Sequence, residues 1–304
     1  MNPIVALIIT NIIWGAASPI FKLALTNIPP FTLAFIRFFF AGLIFLPLGL
    51  YFWQKINIRD WLNIFLIGFF GITVNISFFF LGLPKTISIN APIIASSGPV
   101  FLFLLSILFL KEKPKLKVLA GMFVALTGVL IIILSPIFLN SKKLIFGEIE
   151  GNLFFLLATF GAVIQTLISK KVLAKINPYQ VSLISFLFGS FTFTPMMFKE
   201  LHSWNFTFLN NNGWLGIIFG VVFCSALAYF CYYYGISKLQ AQEIGLFTYV
   251  DPVVAVIIAI PLLKEYPNFY YLLGVLLVFG GIYIAERRFN YHPFKMINKF
   301  KSQI

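Results

Sequence analysis

Apolar residues run through this chain in long blocks, and polar residues collect in the short intervals between them. Ten blocks qualify as spanning helices, roughly residues 3–25, 30–53, 61–81, 87–110, 117–136, 149–169, 178–199, 212–236, 241–262 and 268–286. Each holds about the 20 mostly apolar residues that a helix needs to cross a bilayer. The intervals are rich in Lys, Asn and Pro, and none is long enough for a soluble domain. The longest, around Asn140 to Glu150, marks the middle of the chain. The first block has no basic segment before it and runs on to Leu25, too long for a cleaved signal peptide, so it is taken as the first span. The pattern predicts an all-α integral membrane protein with ten transmembrane helices.

Composition agrees. Hydrophobic residues make up 60% of the 304 positions and charged residues 10%, against about 25% charged in a soluble domain. A surface this apolar needs lipid as its solvent. The net charge of +13 comes from 22 basic and 9 acidic residues. On a soluble chain it would suggest nucleic acid, but here the basic residues sit in loops, where the positive-inside rule accounts for them. Fifteen lie in the even-numbered intervals and the C-terminal tail, six in or beside the odd-numbered ones, and Arg37 lies within a span. That bias places both termini in the cytoplasm and supports an even helix count. Cys224 and Cys231 fall on one predicted helix with Cα atoms about 10 Å apart, too far for a disulfide. They read as packing residues. No metal or cofactor is expected.

Shifted by 153 residues, the two halves match from the third helix onward. Trp61 falls on Trp214, Gly82 on Gly235, Lys85 on Lys238, Pro99 on Pro252 and Pro114 on Pro267. Lys111-Glu112 falls on Lys264-Glu265, Gly121 on Gly274 and Gly128 on Gly281. A looser match, shifted by 148, puts Pro30 on Pro178 and Phe38 on Phe186. The chain therefore divides into repeats at 1–139 and 140–288 with a basic tail at 289–304. Five helices per repeat is an odd number, so the second repeat enters the membrane inverted, as secondary transporters are commonly built.

These residues resemble the drug/metabolite transporter superfamily, in its EamA-type members with a doubled five-helix domain. The first helix carries Trp14-Gly15, Pro19 and Lys22, and the second carries Arg37. Each repeat ends in the most specific part of the pattern: Pro99, Lys111-Glu112, Gly121 and Gly128, then Pro252, Lys264-Glu265, Gly274 and Gly281. The resemblance covers residues 3–286 and implies a carrier of small molecules in a multi-pass membrane fold. It leaves the substrate undefined. In one departure, the sixth helix has Gly161 but neither Trp nor Lys at positions matching Trp14 and Lys22, so the halves are expected to differ in function.

Two prolines stand near the middle of predicted helices four and nine, Pro99 and Pro252. Each would kink its helix and free the carbonyl four residues earlier, at Ala95 and Thr248. Broken backbone in a membrane belongs where it lines a cavity, and Ser96, Ser97, Thr248, Tyr249 and Asp251 flank these kinks. Asp251 is the only acid deep within a span. A helix-centre Asp costs about 2.5–3.5 kcal/mol on insertion scales. It could exchange a proton, bind a substrate amino group, or pair structurally. Arg37 could pair with Asp251, hold a substrate carboxylate, or bond to freed carbonyls. Lys22, nearer a helix end, can snorkel to the interface. Asn11, Trp14, Asn75, Gln165, Thr166, Tyr229 and Tyr233 are weaker candidates, since buried polar groups also join helices. Gly121, Gly128, Gly274 and Gly281 read as close-packing positions, and Glu112 and Glu265 as members of interfacial charge networks or as gate residues.

The functional expectation is a secondary transporter, an exporter in type, of a small metabolite such as an amino acid, by alternating access, with protons as candidate coupling ions. Two alternatives share the bilayer: a lipid or lipid-linked sugar translocase of the same fold, and an integral-membrane lipid-modifying enzyme. The enzyme would need acids or histidines clustered at one face, whereas His202 and His292 are predicted on opposite sides. No phosphate-binding Gly-Lys-Ser/Thr loop occurs. Expected partners are the lipid bilayer and a small-molecule substrate, with a homodimer open and nucleic acid excluded. The expected location is the plasma (inner) membrane of a prokaryote.

Overall fold

The computed structural model describes residues 2–98, 100–101, 116–139, 145–239 and 245–286, all in helices and short links with no strand among them. Helix α1 (Pro3–Ala24) starts where the Asn2 side chain accepts from the Ile4 amide and Pro3 fills a position that needs no donor. Helix α2 (Pro30–Tyr51) opens on proline too, and its first amides, Phe31 and Thr32, which have no partner within the helix, donate to the distant Glu200 carboxylate. Helix α3 (Ile58–Gly82) widens into a π-helical segment at Phe69–Val74. Helix α4 is described over Asn90–Ala95, before a turn at Ser96 and Ser97.

Helices α5 (Leu116–Phe138) and α6 (Ile145–Val172) follow. Helix α7 runs over Pro178–Thr192 and continues as Thr194–Leu201 after a 47° bend, where Pro195 has no amide to carry the helix through. Helix α8 (Asn211–Lys238) holds a second π-helical segment, Phe219–Leu227. A 3-10 turn at Gly245–Tyr249 leads into α9 (Val250–Leu263), and α10 (Phe269–Glu286) closes the described chain. Six of these helices (α1, α2, α3, α5, α6 and α8) are long and apolar enough to cross a bilayer, and bent α7 is a seventh if counted as one span. Residues 102–110 of the expected fourth span, Pro99, Lys111, Glu112 and the 289–304 tail lie outside the described residues.

The helix partners exchange systematically between the halves. α2 packs on α7 and α5 on α10, while α1 packs on α8 and α9, and α6 on α3 and α4. Small residues set the closest approaches. A Cβ on Gly128 would stand 2.7 Å from the Gly274 carbonyl, and one on Gly42 2.8 Å from Leu187. The outer surface is apolar. Ile257, Leu276 and Phe123 are 64%, 71% and 75% exposed, which water would penalise and lipid would not.

Side-chain contacts refine the register between halves. Thr10 of α1 donates to the Ala228 carbonyl of α8 at 3.1 Å, and Asn75 of α3 donates to the Ala158 carbonyl of α6 at 2.8 Å. Positions 10 and 158 differ by 148, and 75 and 228 by 153, the two shifts seen in the sequence. The same rule corrects one expectation. Lys22 donates to the Thr86 carbonyl, and Lys170 to the Leu239 carbonyl. Lys170 is therefore the counterpart of Lys22. The sixth helix therefore does carry this lysine, and Gly161 is not the counterpart of Gly15: the two glycines pack against different neighbours, α3 and α9.

Candidate functional site

The second half of α8 faces the centre of the bundle with Cys224, Ser225, Tyr229, Tyr232 and Tyr233, all buried. Its π-helical segment inserts extra residues per turn and so turns Cys224 and Ser225 toward α2. There they meet Arg37, which is 1% exposed. The Arg37 Nε donates to Ser225 Oγ at 2.9 Å and one terminal nitrogen to Cys224 Sγ at 3.2 Å. Rings enclose the guanidinium, with Phe21 and Phe38 centroids 4.5 and 4.7 Å from its carbon. Such contacts contribute about 2 kcal/mol or more when desolvated. They replace part of the lost hydration, but no carboxylate neutralises the charge: the two ion pairs among the described residues lie elsewhere. Arg37 Nη1 is buried with no hydrogen-bond partner.

Asp251 likewise has no ion-pair partner among the described residues. Its Oδ1 is buried without a partner. The residue stands in the first turn of α9, after the switch from 3-10 to α-helix, so the amide end of the helix dipole lies beside it and favours its negative charge. Pro252 sits in this first turn rather than in the middle of a continuous helix, because the break falls just before it. The Thr248 carbonyl accepts from Ser96 Oγ at 3.4 Å, joining the two interrupted segments. The interruption after Ser96 is matched, 153 residues on, by the one after Tyr249. α1 fits tightly here. A Cβ on Gly15 would stand 2.7 Å from the Asp251 carbonyl oxygen and 2.8 Å from the Val254 Cβ.

Adjacent residues of α1 join the two regions: Gly15 packs on the Asp251 backbone, and Trp14 reaches the Cys224 carbonyl. Trp14 closes one wall, its indole N–H donating to the Cys224 carbonyl at 3.3 Å and its ring 4.8 Å from Tyr232 and 5.2 Å from Tyr229. Tyr229 donates to the Gly71 carbonyl in the other π-helical segment at 3.3 Å. Gln165 donates to the Tyr233 hydroxyl at 3.0 Å, and Thr166 pairs with the Tyr232 hydroxyl at 2.8 Å. A separate groove between α2 and α8, lined by Phe40, Leu43, Trp214 and Val222 among others, has no charged side chain to select a polar substrate.

The EamA-like transporter family model matches residues 1–134 and 149–286. The chain belongs to the EamA-like transporter family. It is a multi-pass membrane protein, and family relatives are bacterial and archaeal. It is 26% identical over 287 residues to an uncharacterized transporter of Archaeoglobus fulgidus, covering 93% of this chain and 96% of the relative. It is 28% identical over 289 residues to the uncharacterized transporter YetK of Bacillus subtilis, covering 94% and 87%. A solved crystal structure of a protein superposes with a TM-score of 0.64 at 15% identity, over 93% of this chain and 96% of that one, and speaks for the fold alone.

Within this family fold, the structure gathers Trp14, Arg37, Gln165 and Tyr229 around the second half of α8, and places Asp251 against Gly15, the residue after Trp14, with Ser96 and Thr248 at the adjoining break. Asn75 bonds instead to α6 backbone, and Asn11 donates to the Leu7 carbonyl of its own helix at 2.7 Å. Ser97 Oγ donates to the Ile94 carbonyl at 2.6 Å, and the Tyr249 ring packs 5.5 Å from that of Phe279. Cys224, Ser225 and Tyr232 were not singled out by the sequence. Cys224 reads as packing there, and its polar role follows from a π-helical turn that residue spacing does not announce.

Proposed function

We propose that this protein is a secondary transporter that exports a small zwitterionic metabolite, such as an amino acid, by alternating access and in exchange for protons. Its units are the inverted five-helix repeats, 1–139 and 140–288, in a ten-helix chain with both termini in the cytoplasm of a prokaryote and the body in its plasma (inner) membrane. One observation carries the reading: a buried cation and an acid, Arg37 and Asp251, each keep an unmet polar atom, Nη1 and Oδ1, instead of pairing with each other. Burying charge without a partner is costly. A substrate carboxylate on Arg37 and a substrate ammonium on Asp251 would relieve both sites at once. Asp251 then either binds the amine or takes a proton, which couples the two fluxes. Membership of a transporter family and the paired helix breaks support the same reading.

The test is uptake into proteoliposomes from a panel of amino acids and small metabolites, with lumenal pH recorded, for the parent and Asp251→Asn. The expected result is movement of one compound with a pH change that the variant loses. Transport and pH signal that persist unchanged in Asp251→Asn would remove the coupling role and leave the fold assignment intact.

A further inference from the structure

We propose that the Lys22–Glu265 pair is the closed gate of the membrane face at which α1 ends, and that Lys170 holds the corresponding position at the opposite face. The Lys22 ammonium donates to Glu265 Oε1 at 2.6 Å and to the Thr86 carbonyl at 2.6 Å. The second oxygen of Glu265 accepts from the Ser88 amide at 2.7 Å and the Ser88 hydroxyl at 2.6 Å. One carboxylate thus ties three segments together: the end of α1, the turn between α3 and α4, and the link between α9 and α10. The first two belong to the first half of the chain and the third to the second half, so this contact must part if the halves separate at this face.

Three features mark the contact as more than surface decoration. The paired side chains are 24% and 9% exposed, so little water screens them. By contrast Lys85 and Glu150, which also join the halves, are 36% and 49% exposed, the kind of pair that contributes little. The residue before Glu265 carries backbone strain. Lys264 has a φ of 56°, the only non-glycine with positive φ among the described residues, and such strain collects at clamps and switches. Finally, the arrangement repeats. Lys170 lies 148 residues after Lys22 and donates to the Ile236 carbonyl at 2.8 Å and to that of Leu239, and Leu239 lies 153 after Thr86. The same lysine clamps the same turn at both ends of the bundle.

The gate does not touch the candidate site. Fourteen residues of chain separate Asp251 from Glu265, about 20 Å along a helix. The pair therefore acts on which face the site opens to, not on the ligand. This inference rests on the transporter reading for its alternating-access frame, but its test needs no substrate.

In full-length protein carrying Cys224→Ser and Cys231→Ser, the reporter Ser96→Cys is labelled with a membrane-impermeant maleimide added from either face of oriented vesicles. Glu265→Gln and Lys22→Met are expected to raise labelling from the α1-end face by roughly tenfold or more and to lower it from the other face. The charge-swapped pair, Lys22→Glu with Glu265→Lys, should return labelling toward the parent's, and Lys170→Met should shift it in the opposite sense. Unchanged labelling in Glu265→Gln and Lys22→Met, with reduced thermal stability, overturns the proposal and makes the pair a static brace. If Glu265→Gln does not fold, the swapped pair and Lys170→Met decide by the same readout. A labelling shift here, with no panel compound carried by the parent protein, would leave the gate standing and count against the substrate reading. Transport with indifferent labelling would remove the gate alone.

Discussion

Arg37 shows how a charge survives in the middle of an apolar helix. Its faces lie against rings, two of its nitrogens have partners, and the third is unmet. Lysine would keep the charge but not the planar fork that meets Ser225 and Cys224 together. Arg37→Lys should destabilise the protein by about 1–3 kcal/mol through those unmet groups and lower flux at least tenfold. Thermal unfolding in detergent and proteoliposome uptake check this, and a variant with parental flux would make the guanidinium a packing group only. Gly15 lies against the backbone of the other charged residue. Gly15→Ala places a Cβ 2.7 Å from the Asp251 carbonyl oxygen, so α1 and α9 must move apart at about 1–3 kcal/mol, as overpacking does. Reduced flux with the protein still folded is expected. Both charges were legible in the sequence as isolated ionisable groups in apolar runs. The partners of Arg37 were not, because Cys224 and Ser225 carry no charge and their facing depends on how α8 is wound.

At the scale of elements, the interruptions matter more than the helices. The π-helical segments Phe69–Val74 and Phe219–Leu227 overlap when shifted by 153, and the breaks after Ser96 and Tyr249 coincide in the same register. The prolines announced trouble in helix nine, but not that the α-helix would restart at Val250 with Asp251 in its first turn. Nothing in the spacing announced the π-helical segments, since a π turn is selected by the neighbour it accommodates. Gly161 shows this: a Cβ there would stand 2.7 Å from the Phe70 carbonyl inside one of these segments. Close packing of glycines was legible, and it yields a sharp expectation. Gly128→Leu should separate α5 from α10, because even a Cβ there would lie 2.7 Å from the Gly274 carbonyl oxygen and 2.8 Å from the Val278 amide. A fall in thermal midpoint and a loss of monodisperse protein are expected on gel filtration, and a parental midpoint would mean that the pair is loosely packed.

At the scale of the whole molecule, charge predicts the orientation. With fifteen basic residues against six, impermeant reagents applied to intact cells should fail to reach cysteines placed at Lys55 and Lys175 and should label one placed at Lys142. Labelling of the first two from outside would reverse the topology. The sequence by itself determined that this chain lives in lipid, where its apolar blocks fall, and that a repeat underlies it. Those follow from run length, composition and self-similarity, which belong to the string of residues. Tertiary structure decided which lysine answers Lys22, which polar atoms stay unmet, and where α8 and α9 depart from the α-helix. These depend on what a neighbouring helix presents at a few ångströms, and helices that are distant in sequence supply that surface only after they pack.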